Sequence, residues 1–340
     1  MSKFLRTLSC ILVCVLLLPT LGGCSQNKQV IATCGEYEIY YEQLRFATLN
    51  FKLELDELYG DGDSTNGTIW DDPTLAAKYK PMLEERVWGL MRDNYAILSA
   101  CAAYGIGKDV MEGDAVKAAV EKQMEDLRNY HGTYAAYEEA IEASFMTEDV
   151  FRFYFAIEEM KTLLYAAMKD KKEFTTDEEA FHKWLLEGNC AYVQHVMREV
   201  SEGDDKAVER IFIEDMYDTL TAFGVDPIEK LPTLINSIMH EDPTNTAPYY
   251  LVRGVHDDKL VDASLALEEV GDVSTIIELE NAFYILVRME DEEDTLSSKL
   301  TTLLNDYQWS VVGDRVEEAK QSLQFEKTDF YNGLDLLAIE

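Results

Sequence analysis

The hydrophobic positions in the first half of the chain predict a short β segment followed by helices. Val30–Thr33 and Glu38–Tyr40 are rich in β-favouring residues and flank Gly35, which predicts two short strands joined by a turn. From Glu42 onward, apolar residues recur every three or four positions, which is the period of a helix with one buried face. The same period predicts four further helices, at Leu75–Tyr104, Val110–Tyr130, Tyr134–Phe145 and Thr147–Lys169.

The pattern changes to mixed strands and helices after a short helix that ends near Gly188. That helix is predicted in FTTDEEAFHKWLLEG, with Thr175 or Thr176 as its N-cap. Beyond it, Cys190–Val200 predicts a strand and AFYILVRME predicts a closing strand, with YYLVRG and GDVSTIIE between them. Helices are predicted between these strands, at Asp204–Phe223, Ile228–Met239 and Lys259–Leu267. This order of elements is typical of a compact α+β domain.

Length and composition predict more than one folded domain. A chain of 340 residues exceeds what one ordinary core holds, and its 47% hydrophobic and 11% aromatic residues are enough to build two cores. The predicted segments are a leader at 1–23, a helical module at 24–187, the α+β domain at 188–291 and a tail at 292–340. The helical stretch Thr295–Leu323 in that tail has no partner nearby in sequence. We therefore expect the tail to pack on the N-terminal helices.

The first residues predict export. Lys3 and Arg6 precede the apolar run Leu8–Leu18, which is too short to span a bilayer as a helix. The following LGGC, Leu21 to Cys24, resembles the lipobox of bacterial lipoproteins, which implies that Cys24 becomes the lipid-modified first residue. An ordinary signal peptide and an uncleaved anchor are the alternatives. A lipid anchor with two acyl chains would hold the protein stably on a membrane, outside the cytoplasm.

Charge and cysteine content narrow the partners and the chemistry. The chain has 65 acidic and 30 basic residues and a net charge of −35, so its surface repels nucleic acid and anionic lipid headgroups. Once the leader and Cys24 are set aside, Cys34, Cys101 and Cys190 remain. Their spacing matches no zinc motif, and we expect unpaired, buried thiols.

One loop has a weak resemblance to a calcium-binding loop. Asp61, Asp63 and Thr65 stand at alternate positions, and Asp72 falls where a closing carboxylate would be. The glycine that such a loop needs at its sixth position is replaced by Asn66. A solvated loop is therefore the expected structure, and we predict no metal site and no cofactor.

Three stretches together resemble parvulin-type foldases, namely the PrsA lipoproteins and the related chaperone SurA. VIATCGEYEIYYEQL is similar to the family's opening, and FTTDEEAFHKWLLEGNCAYVQHVMREV is similar to the helix and first parvulin strand, with its hallmark histidine at His195. LVDASLALEEVGDVSTIIELENAFYILVRME is similar to the last helix, turn and strand. The resemblance implies an α+β fold, in which a SurA/PrsA-like N-terminal helical chaperone module, completed by a C-terminal helix, carries an inserted parvulin-like domain.

The same resemblance implies a function and a set of site residues. The function is that of a membrane-anchored extracytoplasmic foldase or chaperone for unfolded exported polypeptides, with a peptidyl-prolyl cis-trans isomerase domain. His195 and Tyr284 would form the catalytic pair, although the family usually has a second histidine at the position of Tyr284. Met197, His256 and Leu260 would bind substrate, but His256 and Leu260 replace the family's methionine and phenylalanine. These departures predict weak or lost isomerase activity.

Three interpretations of His195 remain open at this point: a structural hydrogen-bonding residue, a residual catalytic residue and a metal ligand. No second histidine at a ligand spacing supports the metal. For the whole chain, the alternative to a foldase is a non-catalytic binding lipoprotein dedicated to one secreted or envelope partner. A solute-binding lipoprotein is disfavoured, since the chain lacks two repeated α/β halves. The sequence leaves the clients and the oligomeric state open.

Overall fold

The computed structural model of the chain describes residues 26–60, 67–201, 205–238, 247–291 and 293–340. The chain forms two compact units. The first contains the chain through Ala167 together with Asp314–Glu340, and the second is Met168–Gly313. The second unit is thus inserted into the sequence of the first. The expected α+β fold is confirmed, because long helices accompany two small antiparallel sheets.

The first unit is built on a three-stranded antiparallel sheet with helices. Strands β1 (Val30–Cys34) and β2 (Tyr37–Tyr40) form the predicted hairpin, whose turn contains Gly35 with φ of 58°. A left-handed φ of this kind favours glycine because a Cβ would be strained there. Six helices follow: α1 (Tyr41–Tyr59), α2 (Pro73–Ala103), α3 (Lys108–Met111), α4 (Asp114–His131), α5 (Tyr134–Ala143) and α6 (Glu148–Asp170). The last residues of α6, from Met168 onward, belong to the second unit.

Local signals explain where these helices begin. The Asp72 carboxylate accepts hydrogen bonds from the N–H groups of Thr74 and Leu75 at the start of α2, so it serves as a helix cap. Thr133 caps α5 in the same way through its hydroxyl. The helix predicted at Val110–Tyr130 is divided into α3 and α4, because the chain turns at Gly113. Residues 61–66 of the predicted loop lie outside the described residues.

The C-terminal segment completes the first unit. Strand β7 (Glu326–Lys327) pairs with β1, which gives the sheet order β2-β1-β7. The Thr328 hydroxyl donates to the Val30 carbonyl oxygen at 2.9 Å, at the start of helix α12 (Asp329–Asn332). In the last turn (Leu336–Ala338), Leu336 is 3% exposed. The N-terminal hairpin therefore depends on residues almost 300 positions later in the sequence.

The second unit is built on a four-stranded antiparallel sheet in the order β4-β3-β6-β5. Its elements are helix α7 (Glu178–Leu186), strand β3 (Cys190–Glu199), helices α8 (Lys206–Thr221) and α9 (Pro227–Ile238), strand β4 (Tyr249–Val252), helix α10 (Asp258–Leu265), strands β5 (Ile277–Glu278) and β6 (Ala282–Arg288), and helix α11 (Glu293–Gln321). Asp177 caps α7, accepting the N–H groups of Glu179 and Ala180. The predicted N-cap at Thr175 or Thr176 is therefore wrong.

The two faces of this sheet have different cores. Val193 and Leu286 lie on one face with Val261 of α10. On the other face, Val196 and Ile285 pack with residues of α8 and α9. Tyr250 and Val252 of β4 also lie on this second face, and they pack with α7 and α11. Because side chains alternate along a strand, neighbouring residues of β3 enter different cores.

The tail differs from its prediction. Leu296, Leu303 and Leu304 of α11 belong to a buried cluster with Phe181 and Leu185 of α7, inside the second unit. Only the part from Asp314 onward belongs to the first unit. The second unit is therefore larger than the predicted 188–291, because two helices that flank that range in sequence supply part of its core.

No helix within the described ranges has both the length and the apolar composition needed to cross a membrane. The predicted leader and Cys24 lie outside the described residues. The three other cysteines are free thiols, of which Cys34 and Cys101 are buried.

Candidate functional site

Strands β3 and β6 bring three of the predicted site residues to one face of the sheet. His195 is paired with Leu286, and Met197 with Tyr284, in the antiparallel register. Because side chains alternate between faces, His195, Met197 and Tyr284 point to the same side. The ring centroids of His195 and Tyr284 are 5.6 Å apart, with an angle of 55° between the rings. We call this surface the His195 face.

Tyr249 is a further member of the His195 face. On strand β4 it pairs with Val193, which places it on the same side as His195. Its ring meets the His195 ring edge-on, at 5.4 Å between centroids and 88° between planes. The sequence analysis did not single it out. Strand alternation in YYLVRG marks either Tyr249 or Tyr250 for this face, but only the pairing of β4 with β3 decides which.

His256 lies at the edge of this cluster. Its ring centroid is 6.2 Å from that of Tyr249. Its Nδ1 atom lies 3.1 Å from the Val252 nitrogen and 3.4 Å from the Val252 carbonyl oxygen, so the ring is held against this backbone. Burial lowers the pKa of His256, so the neutral form is favoured by its surroundings. His256 is thus next to the site, but it is held by backbone.

Leu260 takes a different position from the other predicted residues. It is 7% exposed and belongs to the core under the His195 face, together with Val261 and Ile277. His195, Met197, Tyr284 and His256 are each half-buried. Four of the five residues therefore offer surface to a ligand, whereas Leu260 forms part of the floor. Its role in substrate binding stays a prediction.

The electrostatics of the His195 face favour neutral groups. Burial lowers the pKa of His195 and raises the pKa values of Tyr249 and Tyr284. All three rings are therefore uncharged near pH 7. Among the described residues, the buried Nδ1 atom of His195 has no hydrogen-bond partner, and no hydrogen bond joins His195 to Tyr284. The pair implied by the resemblance is thus in ring contact in this structure.

The metal interpretation gains no support from geometry. Within the described ranges, no three side chains of His, Cys, Asp or Glu are grouped so that they could hold a metal ion. The ring neighbours of His195 are tyrosines, which are poor ligands for a divalent metal while they stay protonated.

The first unit contains a separate cavity of 460 Å³, which we call the hairpin cavity. Tyr95, Phe153, Val116 and Val120 line it with apolar surface. Several charged groups around it are paired with one another, as in the contact of 2.9 Å between Lys28 Nζ and Glu42 Oε1. A cavity of this size and polarity suits one large apolar side chain.

Comparison with known proteins gives a structural likeness at low identity. No protein-family model matches the chain, and no curated protein sequence matches it. The foldase protein PrsA of Streptococcus pneumoniae is 15% identical, with 71% of this chain and 89% of that chain covered and a TM-score of 0.33. The peptidylprolyl isomerase PrsA of Bacillus anthracis is 13% identical, with 68% and 97% covered and a TM-score of 0.34.

A third solved structure extends over more of the chain. The foldase protein PrsA of Lactococcus lactis is 13% identical and covers 89% of this chain and 96% of its own, with a TM-score of 0.29. The chain is thus similar to PrsA structures over most of its length.

Proposed function

We propose that the chain is a foldase of exported polypeptides, with a weak peptidyl-prolyl isomerase site on the His195 face. The observation that carries this proposal is the position of His195, Met197 and Tyr284 on one half-buried face of the antiparallel sheet. The family resemblance assigned these three residues to the site from sequence alone. Their convergence from two strands supports that assignment.

The chemistry of isomerisation suits a neutral, half-buried surface. The reaction rotates an amide over a barrier of about 18–20 kcal/mol that arises from resonance, and no bond has to be cleaved. Binding the twisted amide better than either planar form lowers this barrier. Met197 and the tyrosine rings supply apolar surface for a proline ring, and the neutral imidazole of His195 supplies a hydrogen-bonding group. No nucleophile, metal or cofactor is needed.

The activity is expected to be low, because the His195 face departs from an open proline-binding groove. The Tyr249 ring packs against the imidazole of His195. Leu260 is buried, so its side chain does not project from the surface to contact the side of a bound proline ring. A proline ring therefore finds less free surface beside His195 than it would if Tyr249 were small.

The first unit supports a chaperone role. The hairpin cavity can take an apolar side chain of an unfolded polypeptide, and its mixed charges suit a polar backbone around that side chain. The net charge of −35 disfavours nucleic acid as a partner. Anchoring through a lipid on Cys24, outside the cytoplasm, is part of this proposal, and it rests on the LGGC motif and the leader before it.

A second candidate function is a non-catalytic binding lipoprotein with one dedicated partner. The observation in its favour is the His195 ring itself, whose Nδ1 is buried without a partner among the described residues and whose edge contact is with Tyr249. Such a histidine is not oriented by a second polar side chain, as a catalytic imidazole usually is. A fold kept only for binding would tolerate this.

A protease-coupled isomerisation assay tests the proposal. The chain from Ser25, which contains every described residue, is compared with His195→Ala and with His182→Ala, a histidine of the same unit outside the site. A rate above background that His195→Ala removes and His182→Ala leaves unchanged supports the isomerase. No rate on any proline peptide rejects it.

A second measurement separates the two candidate functions. Suppression of aggregation of several unrelated unfolded proteins is expected of a foldase with chaperone activity. Protection of none of them, together with no isomerase rate, favours the dedicated binding protein.

A further inference from the structure

The second unit holds a cavity of 610 Å³ that is separate from the His195 face. It is lined by residues at the end of α6, in the segment before α7, and in α7 and α11, including Phe174, Trp184 and Tyr307. Helices α7 and α11 pack on the sheet face that carries Tyr250 and Val252, opposite to the face of Tyr249 and His195. We call it the α7–α11 cavity. A ligand there would leave the His195 face free.

Three aromatic rings form one wall of this cavity. Trp184 is stacked on Phe181 at 5.5 Å between centroids, and Tyr307 lies 5.3 Å from Trp184 and 5.4 Å from Phe181. Phe181 is only 1% exposed, so it supports the other two rings. Trp184 and Tyr307 are half-buried and offer their surface to the cavity. Such a wall suits another ring or a large aliphatic side chain.

Within the described ranges, the basic groups around the α7–α11 cavity are unpartnered, whereas the acidic groups already have partners. Lys169 and Lys172 both line it and are exposed, and neither ammonium group has a partner among the described residues. The acidic groups that line it are already engaged: Asp177 accepts two backbone N–H groups, and Glu173 has an interaction of its own. In a chain with 65 acidic and 30 basic residues, two unpaired lysines beside an aromatic wall complement a carboxylate.

We propose that the α7–α11 cavity binds a polypeptide segment in which an aromatic side chain stands next to a carboxylate. The ring lies against Trp184 and Tyr307, and the carboxylate lies by Lys169 and Lys172. This inference rests on the proposed function for its choice of a polypeptide as the ligand. The carboxylate can come from a neighbouring Asp or Glu side chain or from the end of a chain.

Isothermal titration calorimetry with short peptides tests this site at 150 mM salt, where the Debye length of about 8 Å screens the repulsion from distant acidic groups. The probes are blocked octapeptides of Gly and Ser with a central Asp-Phe-Asp, Asn-Phe-Asn, Asp-Ala-Asp or Lys-Phe-Lys. A fifth peptide ends in Phe with a free carboxylate and has no Asp. Asp-Phe-Asp is expected to bind about tenfold more tightly than Asn-Phe-Asn or Asp-Ala-Asp.

Variants assign the binding to the cavity. The double variant Lys169→Gln/Lys172→Gln is expected to lower the affinity for Asp-Phe-Asp by about tenfold and to leave that for Asn-Phe-Asn unchanged. Lys183→Gln is the matched control, because Lys183 is on the same helix as Trp184 but outside the cavity lining, with a side chain 79% exposed. Trp184→Leu keeps an apolar side chain and is expected to weaken every Phe peptide.

Equal affinity for Asp-Phe-Asp and Asn-Phe-Asn, or an unchanged affinity in the lysine double variant, overturns the proposal. So does the absence of binding of any Phe peptide to the wild-type chain. Binding of the fifth peptide with the same lysine dependence assigns the carboxylate to a chain end, and its failure beside a working Asp-Phe-Asp assigns it to side chains. Isomerase and aggregation assays on the same preparation show separately whether the proposed function fails.

Discussion

His195 and Tyr284 lie on adjacent strands with their ring centroids 5.6 Å apart, and they are in contact without a hydrogen bond between them. The His195 ring is also in contact with the Tyr249 ring, at 5.4 Å between centroids. The three rings form a neutral aromatic cluster that is half-buried. A site of this kind binds through apolar contact more than through charge. The Tyr249 ring leaves less free surface beside His195 for a proline ring, which is the basis for expecting low isomerase activity.

Removing the Tyr249 ring should change His195 in a measurable way. Burial lowers the pKa of His195, and Tyr249 supplies part of that burial. Tyr249→Ala admits water to the imidazole, so the pKa of His195 is expected to rise toward the ordinary value of about 6.5. An NMR titration of the His195 ring protons measures it. Tyr192→Ala, on the opposite face of β3, is the control, and an equal rise there would contradict the assignment.

The stability of the second unit should fall at mildly acidic pH. Because the folded pKa of His195 lies below its unfolded value, the unfolded state binds the proton first as the pH falls below about 6.5. The free energy of unfolding then decreases by at most about 1.4 kcal/mol per pH unit for this group. His195→Asn removes the effect. Urea unfolding at pH 7.5 and 5.5 is expected to show a smaller loss for the variant than for wild type.

His256 must be considered in the same experiment. Its pKa is also lowered by burial, so it adds a second decrease of the same sign. His195→Asn is therefore expected to remove only part of the pH dependence. If the variant and the wild-type chain lose equal stability between the two pH values, His195 does not titrate as argued.

Glu148 is expected to stabilise the first unit. Its carboxylate accepts hydrogen bonds from Arg152, Tyr137 and Arg128, which lowers its pKa from 4.5 to about 2. Stability from a lowered carboxyl pKa is present above about pH 4.5 and is lost as the pH falls toward 2. The side chain is 39% exposed, so screening reduces the effect, and Glu148→Gln should cost about 1 kcal/mol at pH 7.

Urea unfolding at pH 7 and pH 4 measures this cost. The difference between Glu148→Gln and wild type should be smaller at pH 4. Glu142→Gln removes the same charge from an exposed position and is expected to have almost no effect. A cost for Glu142→Gln as large as that for Glu148→Gln would show that net charge, and not the hydrogen bonds, is responsible.

The C-terminal segment should be essential to the first unit only. A chain that ends before Phe325 loses strand β7 and the buried side chains of Leu336 and Ile339. Burial of two such residues contributes about 3–6 kcal/mol, so Ile31 in β1 should lose its hydrogen-exchange protection. Val196 in the second unit should keep it. Removal of Glu340 alone is the control, and equal protection of Ile31 in both truncated chains would contradict this prediction.

The sequence by itself determined the local elements and the order in which they occur. Periods of 3.6 and 2 residues fixed most helices and strands to within a few positions, since these periods reflect which side of an element is buried. The alternation in β3 also determined that His195 and Met197 share a face. The N-cap of α7 was missed because Thr175, Thr176 and Asp177 are all favourable N-cap residues, and only the position of the first helical turn decides among them.

Only the tertiary structure decided which distant segments meet. The tail is divided between the units because Leu296, Leu303 and Leu304 find apolar partners on α7, and these contacts leave no local signal in the sequence. The position of Tyr249 beside His195 depends on the register of β4 against β3, where a shift by one residue would bring Tyr250 there instead. A strand's pattern shows which residues share a side, but its neighbours and register are set by long-range packing.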